Sequence, residues 1–218
     1  MADHSGRKKV FETGRRIIFI SMVAVAGLAI VAFYSGWSQA AAHEFLRLSG
    51  RLALGLFIAS FGASTLQRLF RADWTRFLVI HRRYLGISTA LTLWVHFTVI
   101  LSLIAFEHGW QEANAPLSIL IPGASTFVLV GLMALTSNAI SKERLGKKNW
   151  RLLHLVGGYS ALLAFIYEYV LQLFLTPEGM VPTLHPAIAY MLLITGSALL
   201  VLRLMKGRLA RRAAPGPR

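Results

Sequence analysis

Three histidines of this chain, His81, His96 and His154, stand within or at the edge of apolar runs. An imidazole in such surroundings is costly to bury, so each is a functional candidate, most simply as the ligand of a bound cofactor. In "LGISTALTLWVHF" (85–97), Ser88, Thr89, Thr92 and His96 recur at helical spacing and form one polar stripe on a greasy helix. The alternative is a stripe that hydrogen-bonds neighbouring helices. In "HLVGGYSALLAFIYEYV" (154–170), His154 carries Gly157 and Gly158 on its own face. The bare glycines would admit either a flat ring or another helix. The same stretch ends in Tyr167-Glu168-Tyr169, where a glutamate between aromatics suits a membrane interface, with a proton or quinone contact as the alternative. His43 and His185 lie near other span ends, while His4 and His108 carry no signal.

The elements that must position these residues are membrane helices. Of 218 residues 56% are hydrophobic and 15% charged, which is too apolar a balance for an ordinary soluble domain. Six apolar runs approach or exceed the length that crosses a bilayer: 17–34, 45–66, 77–106, 117–138, 150–175 and 187–204. The expected fold is all-α, a bundle of six transmembrane helices over 17–205 with basic tails at 1–16 and 206–218. The first run resembles a signal sequence but is longer than a usual signal core, so it reads as a retained span.

Charge placement supports that count. Arg7, Lys8, Lys9, Arg15 and Arg16, the two even connections and the C-terminal segment would share one side, leaving only Arg47 and Arg51 of the 23 Lys/Arg opposite. Both termini are therefore expected in the cytoplasm. The net charge of +14 then reflects a surface facing lipid headgroups rather than nucleic acid, for which no folded soluble module is seen. The chain has no cysteine, so disulfides, thiolate metal sites and thiol redox chemistry are excluded. Any redox role would fall to a bound cofactor.

Two segments resemble a known family. "HRRYLGISTALTLWVHF" (81–97) is similar to the Arg-Arg-x-Leu-Gly … His signature of ferric-reductase-like transmembrane proteins, and "LGKKNWRLLHLVGGYSALLAFIYEYV" (145–170) to their Leu-Gly-Lys-x-Trp-x-x-Leu-His segment. "LSGRLAL" (48–54) is similar to the start of the second span in one branch, the haem-binding membrane subunits of bacterial periplasmic methionine sulfoxide reductase. The likeness covers roughly residues 44–205. It implies six helices in the bacterial inner membrane that bind one or two haem b groups through histidines of the third and fifth spans. Electrons would pass from a separate cytoplasmic reductase, or quinol, to a separate outer-side acceptor. With no GxGxxG loop in the sequence, FMN or FAD is expected only through a partner or as a weak ligand. The chain would be a redox subunit rather than a complete enzyme.

His96 and His154 fall on haem histidines of the family. The histidine expected thirteen residues after His154 is here Tyr167. At 1.5 Å per residue, His96 lies about 18 Å from the cytoplasmic edge, His154 about 3 Å and Tyr167 about 22 Å. Two arrangements stay open. An inner haem would sit between His81 and His154, with Arg82, Arg83 and Arg151 near its propionates. An outer haem would use His96, with Tyr167 as a weak or absent sixth ligand. A bundle that has lost haem, serving as a scaffold or small transporter, is the alternative function.

Overall fold

The computed structural model describes residues 4–107, 117–174 and 186–212. Among them the chain is helical apart from short connections, with no strand. In chain order the helices are α1 (His4–Phe33), α2 (Gln39–Phe61), α3 (Ala63–Phe70), α4 (Asp73–Phe106), α5 (Leu117–Leu135), α6 (Ala139–Phe174) and α7 (Pro186–Arg212). The basic segment expected as an N-terminal tail is helical from His4, and α7 runs on into the C-terminal basic segment as far as Arg212.

Four helices, α1, α4, α6 and α7, are each long and apolar enough to cross a membrane, and α2 with α3 forms a fifth candidate bent by 63°. In the run expected over 117–138, α5 spans Leu117–Leu135, and its part Leu120–Leu135 is a shorter apolar helix than the other candidates. Large apolar side chains such as Phe19, Ile30, Leu163 and Ile194 are exposed along these helices. An apolar exterior on helices of this length is the pattern of a bundle solvated by lipid.

Local chemistry sets the breaks. Gly36 adopts φ 101° and its N–H closes on the Phe33 carbonyl at 2.9 Å, ending α1 with a left-handed residue that an L side chain would strain. Ser38 then caps α2, its hydroxyl accepting from the Ala41 N–H at 3.1 Å. Gly146, at φ 74° and ψ 152°, breaks α6 between a basic segment, Lys142 to Arg144, and the apolar helix that carries His154. At the α2–α3 bend, Arg203 of α7 donates to the Phe61 carbonyl and lays its guanidinium over the Phe61 ring, 3.7 Å from the centroid. A cation is well placed there, because the freed carbonyls of a helix C-terminus carry partial negative charge.

α2 and α4 are the centre of the bundle, since both contribute to each of its two apolar clusters. One cluster joins them to α1 through Val25, Phe45, Val99 and Leu103. The other joins them to α5, α6 and α7 through Phe57, Leu93, Val130, Leu162 and Leu199. Toward α6, α2 reaches with aromatic rings: Phe57 meets Phe165 at 5.6 Å between centroids, and Phe61 meets Tyr159 edge-on at 5.6 Å. Gly158 receives the Phe61 ring so closely that a Cβ there would collide with it. Gly158→Ala should therefore lower the thermal stability of the detergent-purified protein, by about 1–3 kcal/mol if the ring cannot move aside. Gly27→Ala, inside α1 where a Cβ would meet nothing within 4 Å, serves as the control and should leave the unfolding temperature unchanged or slightly raised.

Candidate functional site

His96 sits where α2, α4 and α5 meet. Its Nδ1 lies 2.9 Å from the Ser49 hydroxyl, and its ring stacks on Phe127 of α5 at 6.2 Å with planes 28° apart. Gly50 borders the Cε1 edge of the ring. Ser49 is fully buried, and its one hydroxyl proton goes to the Phe45 carbonyl at 2.7 Å. With its proton on Phe45, the serine oxygen can accept from His96, an arrangement that favours the tautomer protonated at Nδ1 with the lone pair on Nε2. An imidazole anchored at Nδ1 by a second group is the usual form of a metal-ligating histidine. Along the rest of the stripe, Thr89 donates to the Leu85 carbonyl at 2.9 Å, while the Ser88 and Thr92 hydroxyls are buried with no partner among the described residues.

The next residue of α2 faces a different helix. Arg51 lies within electrostatic reach of Tyr169 on α6, and its Nε is buried without a hydrogen-bond partner. Helix geometry makes the pairing consistent. Phe61 packs on Gly158, and from there Arg51 is about 15 Å along α2 and Tyr169 about 16 Å along antiparallel α6. Arg51 lies in the middle of α2, next to Gly50, which borders the His96 ring. Arg47 pairs with Glu44 one turn away.

Depth alone had paired His96 with Tyr167. Thirteen residues make about 3.6 turns, which carries Tyr167 more than half a turn round the helix from His154. Tyr167 lies on the outer face of α6 with Leu163 and Val156, 46% exposed, and Tyr169 is the inward phenol, 6% exposed. Glu168 is exposed and holds an interaction of its own.

Earlier on the same helix, the His154 ring packs tilted against Trp150 at 4.1 Å, and its Nε2 is buried without a partner among the described residues. Arg82 lies within electrostatic reach of it. Arg83 packs over Tyr84 at 5.8 Å, and Arg82, Arg83 and Arg151 are all exposed. Gly157 and Gly158 receive side chains rather than an open slot: Met133 of α5 seats on the first and Phe61 on the second. His81 is 5% exposed, wedged between Phe77 (4.5 Å) and Tyr84 (6.3 Å), with its Nδ1 unpartnered. Gly14 of α1 closes over Tyr84. The structure thus brings Arg82 to His154 and Ser49 to His96.

His43 is half-buried in the second turn of α2 and has an interaction of its own, while His185 lies outside the described residues. No group of three or more His, Asp or Glu that could hold a free metal ion occurs among the described residues. Sequence reasoning passed over Ser49, Tyr169 and Arg203. Tyr169 had a signal, since it shares a helical face with Gly158, Leu162 and Phe165. Arg203 had none, because it reads as the first of a run of terminal basic residues.

Residues 49–165, just over half of the chain, match the family model described as "Ferric reductase like transmembrane component". No curated protein and no solved structure matches the chain. The matched segment runs from Ser49 to Phe165 and so contains His81, His96 and His154.

The Ser49–His96 contact is testable without any ligand. In protein labelled with ¹⁵N-histidine, the His96 ring should give the neutral pattern protonated at Nδ1. Ser49→Ala should convert it to a mixture of tautomers, and an unchanged spectrum would show that Ser49 does not set the proton.

Proposed function

This chain belongs to the ferric reductase-like transmembrane component family, and on that premise we propose that it is a membrane electron-transfer subunit that binds haem b. The observation that carries the reading is His96. It is an imidazole inside an apolar bundle whose Nδ1 is engaged by Ser49, the pattern in which Nε2 serves as the ligating nitrogen. His154 supports a second, inner position, because its buried Nε2 has no protein partner and a cation, Arg82, stands near it. Orphaned imidazole nitrogens are what a bundle built to ligate a cofactor presents when described as protein alone. These residues fit haem better than a free metal ion, which would need a cluster of ligands.

Haem iron supplies a one-electron couple, cycling between ferric and ferrous. The protein's part is to hold the ring, exclude water and place charge. Ser49 fixes the ring of His96, and Phe127 packs against its face. Phe57, Phe61 and Phe165 keep the space between α2 and α6 apolar, which favours short-range electron transfer over side reactions with solvent. Six crossings with both ends in the cytoplasm are the topology we infer, counting α2–α3 as one bent span and α5 as the shortest. The placement of 21 of 23 Lys/Arg supports that orientation. The donor would be a cytoplasmic flavoprotein or a quinol and the acceptor a protein on the outer side, as in the methionine sulfoxide reductase branch that the Ser49-Gly50-Arg51 segment resembles. The bacterial inner membrane is the corresponding location.

One observation favours a second reading. Met133 and Phe61 fill the two glycine seats beside His154, as they would in a bundle that serves as a haem-free scaffold. The visible spectrum of detergent-purified protein, oxidised and dithionite-reduced, separates the two. A sharp reduced haem b band is expected. His96→Ala should remove the component held at mid-bundle, and His154→Ala the component at the cytoplasmic end. A band lost entirely in one variant and intact in the other assigns a single haem. A colourless wild-type protein, purified after expression with ample haem supply, would refute the electron-transfer reading.

A further inference from the structure

The corner between α3 and α4 carries charge and aromatic surface that electron transfer does not use. With 23 residues α2 is about 35 Å long, close to the hydrocarbon thickness of a bilayer. After the 63° bend, the eight residues of α3 add about 12 Å of helix but only about 5 Å along the direction of α2. α3 is therefore held at the level of the lipid headgroups. α4 agrees, since its 34 residues make about 51 Å and reach through the headgroup layer. The corner is firmly built. The Thr75 hydroxyl, fully buried, lies 2.6 Å from the Gln67 side-chain oxygen and 2.7 Å from the Ala72 carbonyl, and it accepts from the Ala72 N–H at 3.2 Å.

What the corner presents is both apolar and cationic. Leu69, Phe70 and Trp74 are each more than half exposed, and the Phe70 and Trp74 rings stand 5.7 Å apart. Arg68, Arg71 and Arg76 are exposed beside them, and Asp73 is the one acidic residue of the segment 63–83. Arg71 has φ 43° and ψ 35°, the only non-glycine residue of positive φ among the described residues. That position, directly after a helix, is ordinarily glycine or asparagine, and a long side chain there is strained. The negative end of the α3 dipole does not require it, because Arg68 already stands in the last turn. A strained arginine is accounted for when its guanidinium has a partner outside the chain.

We propose that the α3–α4 corner is a binding site for an anionic phospholipid. Arg68 and Arg71, three residues apart at the end of α3, take the phosphate oxygens, which suit the guanidinium fork. Leu69, Phe70 and Trp74 lie against the upper parts of the acyl chains. An acidic protein would suit the arginines equally, but rings held at headgroup depth meet lipid before they meet a soluble partner. The inference uses only the membrane placement of α2 and α4 and does not depend on haem.

Thermal unfolding of the full-length protein in detergent, titrated with phosphatidylglycerol or phosphatidylcholine, tests the site, because a lipid that binds the folded state raises the unfolding temperature. An arginine at a charged headgroup surface is worth about fivefold in binding. The wild type is therefore expected to reach its half-maximal shift at about 25-fold less phosphatidylglycerol than phosphatidylcholine. Arg71→Gly should reduce that preference to about fivefold while keeping or raising stability without lipid, since glycine relieves the backbone. Arg68→Gln combined with Arg71→Gly should abolish it. Lys147→Gln combined with Lys148→Gln, at exposed cations of α6, should leave it unchanged. A wild type without preference, the result for a corner that docks an acidic protein instead, overturns the proposal. So does a preference lost equally in the α6 variant, which would make it a property of net charge. If the Arg68/Arg71 double variant fails to fold, Arg71→Gly alone decides: lowered stability without lipid and an undiminished preference would make Arg71 structural and sink the proposal.

Discussion

A polar atom inside an apolar bundle has no water to fall back on, so it must find a partner within the protein. Most hydroxyls here solve this locally, by donating to a carbonyl one turn back on their own helix. Ser21 does so to Ile17, Ser102 to Thr98 and Thr195 to Met191, at 2.7–2.9 Å. Arg203 solves the same problem between helices by taking the Phe61 carbonyl exposed at the α2–α3 bend. Against that background the unpartnered buried atoms stand out as a short set: Arg51 Nε, His81 Nδ1, Ser88 Oγ, Thr92 Oγ1 and His154 Nε2. Four of the five lie on α2 or α4, the two helices at the centre of the bundle, and the fifth lies on α6. Each left bare costs stability, so their concentration at the proposed cofactor positions is informative.

The same helices show how small residues and aromatics divide the labour of packing. Between α2 and α4 the chain uses Ser49, Gly50, Ser60 and Gly86, so the two backbones approach closely and Ser60 reaches the Arg82 carbonyl at 2.8 Å. Between α2 and α6 it uses rings, Phe57, Phe61, Tyr159 and Phe165, which span a wider gap. A helix pair closed by small side chains is rigid, whereas one bridged by rings leaves room between the backbones. His96 and Arg51, two residues apart in their attachment to α2, sit on opposite sides of that division.

Much of this was legible in the sequence because it depends on one-dimensional quantities. Length and apolar content marked the spans, histidines within them marked the candidate site, and the motifs around 81–97 and 145–154 marked the family. The helix axis also converts residue number into depth, which is why the separation of His96 from His154 was readable beforehand. Azimuth was handled less well. Tyr167 and Tyr169 differ by 3 Å in depth at about 1.5 Å per residue, yet they face lipid and core respectively. A helical wheel of α6 carries that distinction, but only once the packed face of the helix is known.

The sequence by itself determined an all-helical membrane bundle of the ferric-reductase type and the histidines worth testing. These follow from composition and spacing, which act residue by residue. Only the tertiary structure decided that Ser49 holds the His96 ring, that Tyr169 rather than Tyr167 is the inward phenol of α6, and that Phe61 and Met133 occupy the glycine seats next to His154. Those facts depend on which faces of α2, α4, α5 and α6 meet. Helix rotation and register are fixed by side chains distant in the chain, such as Arg203 and Phe61, whose partnership no local pattern announces.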